Sequence, residues 1–365
     1  MKQNIFASVI ALATGAAADS ALAQSSITMY GVVDTGVLYT NNANANGDSV
    51  VKIPSLTGTV PSRIGFKGTE DLGGGLQALF VLESGFAPDT GTMSQGNRLF
   101  GRAAYVGLKG SWGQLMLGRQ INMTFLAPIR SDVIGPNIFS LGSIDAYLPN
   151  ARSDNAIGYL GNFKDVTIGA TYSLGRDSSA AGGPAATNCA GEVAGNAKAC
   201  RQVTGLLAYD GRKFGISASY DVLYGNAGAA GGLSSSDNKD QRITANGYFM
   251  LNDVKIGAGT VDRRTCAAAA LDTDSSLYYL GASVPVTPLL VLDAQISRLD
   301  VKRSRNDLTL AVARLTYYLS KRTAVYTSVG HMDNEGMSAV PVDAGGTVGA
   351  GKNQFGVMTG IRHLF

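Results

Sequence analysis

Gln354-Phe355-Gly356-Val357-Met358-Thr359-Gly360-Ile361-Arg362-His363-Leu364-Phe365 ends the chain, and its alternation decides the fold. One parity holds Phe355, Val357, Thr359, Ile361, His363 and Phe365. The other holds Gly356, Met358, Gly360, Arg362 and Leu364. Side chains along a strand point to opposite faces with a period of two, so this segment reads as a strand with one apolar and one more polar face. The run Leu76 to Glu83 repeats the pattern, with Leu76, Ala78, Phe80 and Leu82 on one face and Gln77 and Glu83 on the other. Outward from these two, the chain resolves into about sixteen such segments of about ten residues each.

The connections between segments alternate in length. Glu70 to Gly75, Gly110 to Gly113, Gly161 to Asp165, Asp210 to Arg212, Leu251 to Asp253 and Ser320 to Arg322 have tight-turn compositions. The stretches 41–58, 176–201, 225–240 and 333–352 are long and mostly polar. Short turns on one side and long loops on the other belong to a transmembrane antiparallel β-barrel. A soluble β-sandwich is the competing fold, but it must cover one face of each sheet with another layer. Here nearly every strand carries its own apolar face and no helical segment is available as a cover. The expected fold class is therefore all-β, a barrel of about sixteen strands. That size leaves an open aqueous interior, whereas about eight strands would fill their own.

The N-terminus agrees with export. Met1-Lys2-Gln3-Asn4 carries a positive charge, Ile5 to Ala18 is an unbroken run of apolar and small residues, and Ala21-Leu22-Ala23 offers a cleavage site. Residues 1–23 read as a secretory signal peptide and 24–365 as the barrel. The apolar run is shorter than the ~20 residues that a membrane helix needs. Gly is abundant at 47 residues, and Tyr and Phe (15 and 12) outnumber the single Trp. A net charge of +3 gives no indication of a nucleic-acid partner. Of three cysteines, Cys189 and Cys200 flank a polar Gly- and Ala-rich segment and are candidates for a local disulfide. Metal binding by two thiols without a neighbouring His is the weaker reading, and no cofactor is expected. Cys266 is left without an assigned role.

Several motifs then resemble one family. Ser26-Ile27-Thr28-Met29-Tyr30-Gly31-Val32-Val33-Asp34 looks like an opening strand. Ser62 to Gly73 with Gly75-Leu76-Gln77-Ala78, Glu83-Ser84-Gly85-Phe86, Arg102 to Leu108, Gly113 to Gln120, Ser320-Lys321-Arg322-Thr323 and the terminal Phe365 follow in order. Together they resemble the general trimeric porins of Gram-negative bacteria, in the β-proteobacterial form, with the best match in the N-terminal third. The resemblance implies an outer-membrane homotrimer passing ions and small hydrophilic solutes. Its implied partners are outer-membrane lipid, lipopolysaccharide and the barrel-assembly machinery, which would read Phe365 as an insertion signal.

The connection from Ile121 to Ser153 differs from the other long loops, since it holds Phe125, Leu126, Ile129, Ile134, Ile138, Phe139, Leu141, Ile144, Tyr147 and Leu148. A loop this apolar must be buried, either in the lumen or at a subunit interface. The resemblance implies the lumen, because the family's third loop folds inward there.

Counting from the turns, Arg63 and Arg102 lie about eight residues up their strands, Arg119 six and Arg152 about nine, which places all four near mid-membrane. A lipid-facing Arg at that depth costs about 2–4 kcal/mol, so the expected place is the lumen. Arg119 shares its strand parity with Leu115 and Leu117, and a bulge or a trimer contact could redirect it. Glu83 and Asp34 fall at similar heights, and Asp132 and Asp145 sit on the inward loop. These eight residues are the expected constriction, with Lys67 inward below it and Arg362 near the short-turn rim. Four arginines against few carboxylates point to anion preference. A hydrolase would have to use His331 or His363, the only histidines, and neither has a convincing Ser-Asp partner. A substrate-specific channel and a barrel acting as adhesin or receptor are the functions that compete with a general pore.

Overall fold

The computed structural model describes residues 26–177, 186–267 and 272–365, so the expected signal peptide lies outside the described residues. Among the described residues, sixteen long strands span the barrel. They are β1 (Ser26–Thr40), β3 (Arg63–Gly73), β4 (Leu76–Gly85), β5 (Ala103–Gly110), β6 (Gly113–Ile121), β7 (Arg152–Phe163), β8 (Val166–Ser173), β9 (Gln202–Asp210), β10 (Phe214–Tyr224), β11 (Lys239–Leu251), β12 (Val254–Cys266), β13 (Thr273–Thr287), β14 (Leu290–Val301), β15 (Leu308–Tyr318), β16 (Thr323–Asn334) and β17 (Gln354–Leu364). A three-residue strand, β2 (Val50–Lys52), pairs with the outer end of β1.

All pairings are antiparallel, and the ladder closes on itself. β1 runs beside β3 from Ser26↔Thr69 to Val32↔Arg63 and beside β17 from Val32↔Leu364 to Thr40↔Gly356. Phe365 completes the seam: its carbonyl accepts from Gly31 N at 3.0 Å and its N–H donates to Gly31 O at 3.1 Å. Closure leaves no unpaired edge, the condition for a sheet to sit in hydrocarbon.

The period-two alternation sorts the faces. Val37, Ile216, Ile243, Leu280 and Ile296 are each more than half exposed on the outer surface, while Asp34, Arg242, Gln295 and Met358 are buried inside. A continuous apolar belt of this extent would not survive in water and suits lipid. Aromatic pairs edge the belt at the short-turn end, Trp112 on Tyr159 and Tyr209 on Phe214, with centroids 6.5 and 5.3 Å apart. The turn after β3 needs three consecutive positive φ angles, 84°, 60° and 80°, which explains Gly73-Gly74-Gly75.

Loop 3 (residues 122–151) goes into the lumen and lines its far wall. Asn122 starts it by capping the helical turn Met123–Leu126 through Thr124 N. Met123 and Ala127 pack on Leu206, and Leu141 and Leu148 on Val261, Leu277 and Tyr279. Ile134, Ile138 and Phe139 pack on Leu38, Leu308, Leu310, Tyr326, Met332 and Met358. This decides between lumen and subunit interface: most of the loop's apolar residues pack on the inner wall, with Ile129 the exposed exception. Wall glycines make the close approach possible. A Cβ at Gly356 would lie 2.8 Å from the Phe139 ring, and one at Gly281 2.6 Å from Val133.

Two loops read as outer and polar, loop 1 (residues 41–62) and loop 8 (residues 335–353), also send segments inward. In loop 8, Val342 joins the Phe139 cluster, its carbonyl accepts from Ser143 Oγ at 2.7 Å, and Ala344 N donates to Ile138 O at 3.0 Å. In loop 1, Thr57 O accepts from Ile138 N at 2.9 Å. The Lys52 ammonium lies 2.7 Å from Asp343, tying loop 1 to loop 8. Burial pushes the Asp343 carboxyl above its ordinary range, and Lys52 pulls it back.

Phe139 is fully buried at the junction of these loops. Phe139→Ala should destabilise the folded barrel by about 3 kcal/mol. Urea unfolding of the purified protein would read this as a lower midpoint, accompanied by noisier single-channel currents as loop 3 loosens. An unchanged midpoint would contradict the packing.

Candidate functional site: the channel constriction

Because loop 3 covers the wall from β8 round to β1, the free lumen faces β3 to β7. The wall there is built around Glu83. Register sets Glu83 opposite Gly65 on β3 and Ala103 on β5, which brings Arg63 and Arg102 to its two sides. Its carboxylate lies 2.6 Å from Arg102 Nε and 3.4 Å from Arg63 Nε and accepts from Tyr30 Oη at 2.9 Å. Arg63 also donates to Pro61 O at 3.0 Å.

Arg119 reaches the same wall by a bulge. The β6–β7 register shifts between Gly118 and Gln120, and Gly118 adopts φ +126°. That turns the side chain inward against the parity of Leu115 and Leu117. Arg119 Nε donates to Gly101 O at 2.7 Å, and Nη1 pairs with Asp154. Asp154 also takes Arg98 of loop 2 (residues 86–102) at 3.3 Å, and Arg98 reaches Asp177, in the loop between β8 and β9, at 2.6 Å. Arg152 is 2% exposed and has no carboxylate partner among the described residues. Its Nη1 donates to Pro149 O at 3.4 Å, its guanidinium stands 5.9 Å from the Phe125 ring, and its Nε has no partner. Arg98, Arg119, Arg152 and Arg176 line one small cavity together.

The remaining expected residues lie elsewhere. Asp34 does not face the open channel. It is fully buried, accepts from Thr59 N at 3.0 Å, Val60 N at 3.1 Å and Tyr326 Oη at 2.7 Å, and serves to dock the inner segment of loop 1. Its height on the strand is as counted, but a folded loop segment stands between it and water. Asp132 accepts from Ile134 N at 3.2 Å and Gly135 N at 3.0 Å, which makes it a turn former within loop 3 and not a partner of the arginine wall. Asp145 faces the outer vestibule and pairs with Arg242 at 2.8 Å; Arg242 continues to Asp240 at 2.6 Å and Asp240 to Arg263 at 3.0 Å. Lys67 lies 5.4 Å from the Tyr30 ring, further toward the short turns. Arg362 stands opposite Asp34 in register and donates to Thr59 Oγ1 at 3.2 Å, so it also supports loop 1. Cys189 and Cys200 are disulfide-bonded. His331 and His363 are exposed on the parity of Val329 and Ile361, away from the lumen.

Sequence reasoning missed Arg98, Arg176 and Asp177, because loop residues have no height that can be counted from a turn. Asp154, Asp240 and Arg242 were within reach. Asp154 shares the parity of Arg152, and Arg242 lies ten residues above Asn252, so the height rule applied to the arginines would have found them.

Comparisons with known proteins fit this geometry. A family model described as Gram-negative porin matches residues 7–337. The chain belongs to the Gram-negative porin family. Outer membrane porin protein 32 of Delftia acidovorans is 32% identical to this porin, with 98% of this chain and 99% of that one covered. An outer membrane porin protein of Bordetella pertussis is 29% identical over the full length of both chains. A solved structure described as an anion-selective porin from Comamonas acidovorans matches with a TM-score of 0.76 and 27% identity, covering 94% of this porin and 100% of that chain. This porin is thus an outer-membrane β-barrel channel.

Asp154 holds two arginines of the porin's wall. Asp154→Asn leaves Arg98 and Arg119 facing each other, and losing one member of such a group should cost about 3 kcal/mol. Thermal unfolding should show a clearly lower midpoint for Asp154→Asn than for Asp132→Asn, where the turn keeps an acceptor. Equal midpoints would contradict the assignment.

Proposed function

We propose that this porin is a passive diffusion channel for ions and small hydrophilic solutes that prefers anions, and that it works as a homotrimer. The observation that carries the preference is the charge count on the free wall. Arg63, Arg98, Arg102, Arg119, Arg152 and Arg176 are six cations, Glu83, Asp154 and Asp177 are three anions, and six minus three leaves a surplus of three. The vestibule across from it holds Arg242 and Arg263 against Asp145 and Asp240, with the buried Asp221 carboxyl behind them bonded by Thr124, Tyr147 and Gln202, so it takes at most one charge from the wall's surplus.

A surplus of fixed charge beside a narrow aqueous path lowers the energy of the opposite ion along that path and raises that of the like ion. Guanidinium suits this role because it keeps its charge in a partly dry site. The short-range pairs orient the planes, and the net surplus supplies the long-range field. Passage through such a channel needs no bond making, and both histidines stand exposed on the outer face, away from the arginine wall. Export of residues 24–365 after removal of the leader, and insertion signalled by Phe365, belong to the same reading.

The test is the zero-current potential in a planar bilayer under a salt gradient. Chloride should pass more readily than potassium. Arg152→Gln is the most direct variant, because it removes a charge without stranding a carboxylate, and it should lower the anion preference. Arg63→Gln and Arg102→Gln should do the same. Cation selectivity in the unmodified protein would overturn the preference, and no change in any variant would overturn the wall assignment. Native electrophoresis after mild cross-linking should give a three-chain species.

A further inference from the structure

We infer that the Cys189–Cys200 disulfide is a positioning device for the channel's charge: it holds the Asp177 carboxylate in the arginine cluster of the constriction. The inference rests on the reading that this cluster sets ion preference.

Loop 4 (residues 174–201) lacks the apolar residues that fasten loop 3. Several of the backbone bonds of its described part meet at the bridge, and Thr187 Oγ1, on the arm that leads to Cys189, donates to Asp177 O at 3.2 Å. Asp177 exchanges two of them with Cys189, Cys189 N to Asp177 O at 2.7 Å and Asp177 N to Cys189 O at 3.3 Å. Cys200 O accepts from Arg176 N at 3.3 Å, and Cys200 N donates to Gly225 O at 3.0 Å. The two half-cystines, 2% and 1% exposed, thus grip the backbone of Arg176 and Asp177 from both sides and tie it to loop 5 (225–238). With the backbone fixed, Asp177 Oδ1 meets Arg98 Nη2 at 2.6 Å, and Arg98 passes on to Asp154 at 3.3 Å.

The neighbouring Arg176 has anchors that do not run through the bridge. Its carbonyl accepts from Asp154 N at 2.8 Å, and its guanidinium stacks 4.7 Å from the Tyr147 ring. Loss of the bridge therefore loosens the backbone pairing with Cys189 that sets the Asp177 carboxylate, while Arg176 keeps both of these anchors. An eleven-residue closure restricts the chain between its ends, and opening it restores conformations in which Asp177 is in water. The wall then keeps its six arginines and loses one of its three acids, so the surplus rises.

The experiment is the chloride-to-potassium permeability ratio from zero-current potentials of single channels in planar bilayers. The unmodified porin is compared with the double variant Cys189→Ser/Cys200→Ser, with Asp177→Asn, and with all three changes combined. The double variant should raise the ratio several-fold, because one unit charge about 7 Å away in a water-like dielectric changes the weight of each ion about two- to three-fold and does so in opposite directions for chloride and potassium. Asp177→Asn should raise it by a similar factor, and the combination should rise no further than Asp177→Asn alone. An unchanged ratio in the double variant would overturn the inference, and so would a combined effect equal to the product of the two.

Should the double variant fail to assemble, dithiothreitol added on the loop side gives the same test. The dithiol supplies two electrons and two protons, the S–S bond becomes two thiols, and the reagent leaves as its cyclic disulfide. The shift should appear in the unmodified channel and be absent in Asp177→Asn. The starting selectivity of the unmodified porin tests the reading beneath this one, while the change on losing the bridge tests the bridge itself.

Discussion

The constraint on which everything else in this porin depends is that a backbone in hydrocarbon must satisfy all its hydrogen bonds from within. Sixteen strands meet it only because the first and last pair, and they do so with β1 serving two partners, β3 along its lower half and β17 above. The exchange between Phe365 and Gly31 carries the seam to the last residue of the chain. Once the ladder is closed, strand alternation has one solution. Apolar parity faces lipid, and the other parity faces a lumen too wide for side chains alone to fill. The polar interior follows from the closure.

That lumen then has to be narrowed by chain from the loops, and a loop entering it must bury its own backbone. Loop 3 does so by short helical turns, by Asn122, Asp132, Asn137 and Ser140 accepting from local N–H groups, and by apolar side chains seated on the wall. Loops 1 and 8 enter only as edges to it, each through a backbone bond to Ile138. The interior is therefore one interlocked body hung on the Phe139 cluster, and its placement on one side is what leaves the β3 to β7 wall open to solute.

What was legible in the sequence follows the same division. Strand number, the alternation of turn lengths and the inward loop could be read because period-two patterning and turn residues act locally. Arg63, Arg102 and Arg152 could be placed by counting from a turn, since a strand has a fixed rise. Asp34 could not, because its burial depends on residues 57–62 folding back across β1, a contact between segments that each look polar and unremarkable alone. Arg119 depended on one bulge, which Gly118 permits but does not announce. Arg98 and Asp177 come from two different loops and meet only in three dimensions.

The arrangement of charge has its own logic. Fully paired arginines would present neutral dipoles to a passing ion, while fully unpaired ones would repel each other and strip stability from the wall. Here each acid is shared: Glu83 between Arg63 and Arg102, Asp154 between Arg98 and Arg119, and Asp177 beside Arg98 and Arg176. Sharing gives every one of those five guanidinium groups an orienting contact while leaving two of their positive charges uncompensated. Arg152 is the exception, held by a carbonyl and an aromatic face instead of a carboxylate. It sits among the others at the foot of loop 3 and adds a positive charge that no carboxylate pairs with among the described residues. The member of the set without a carboxylate contact is thus the one that adds most directly to the wall's surplus.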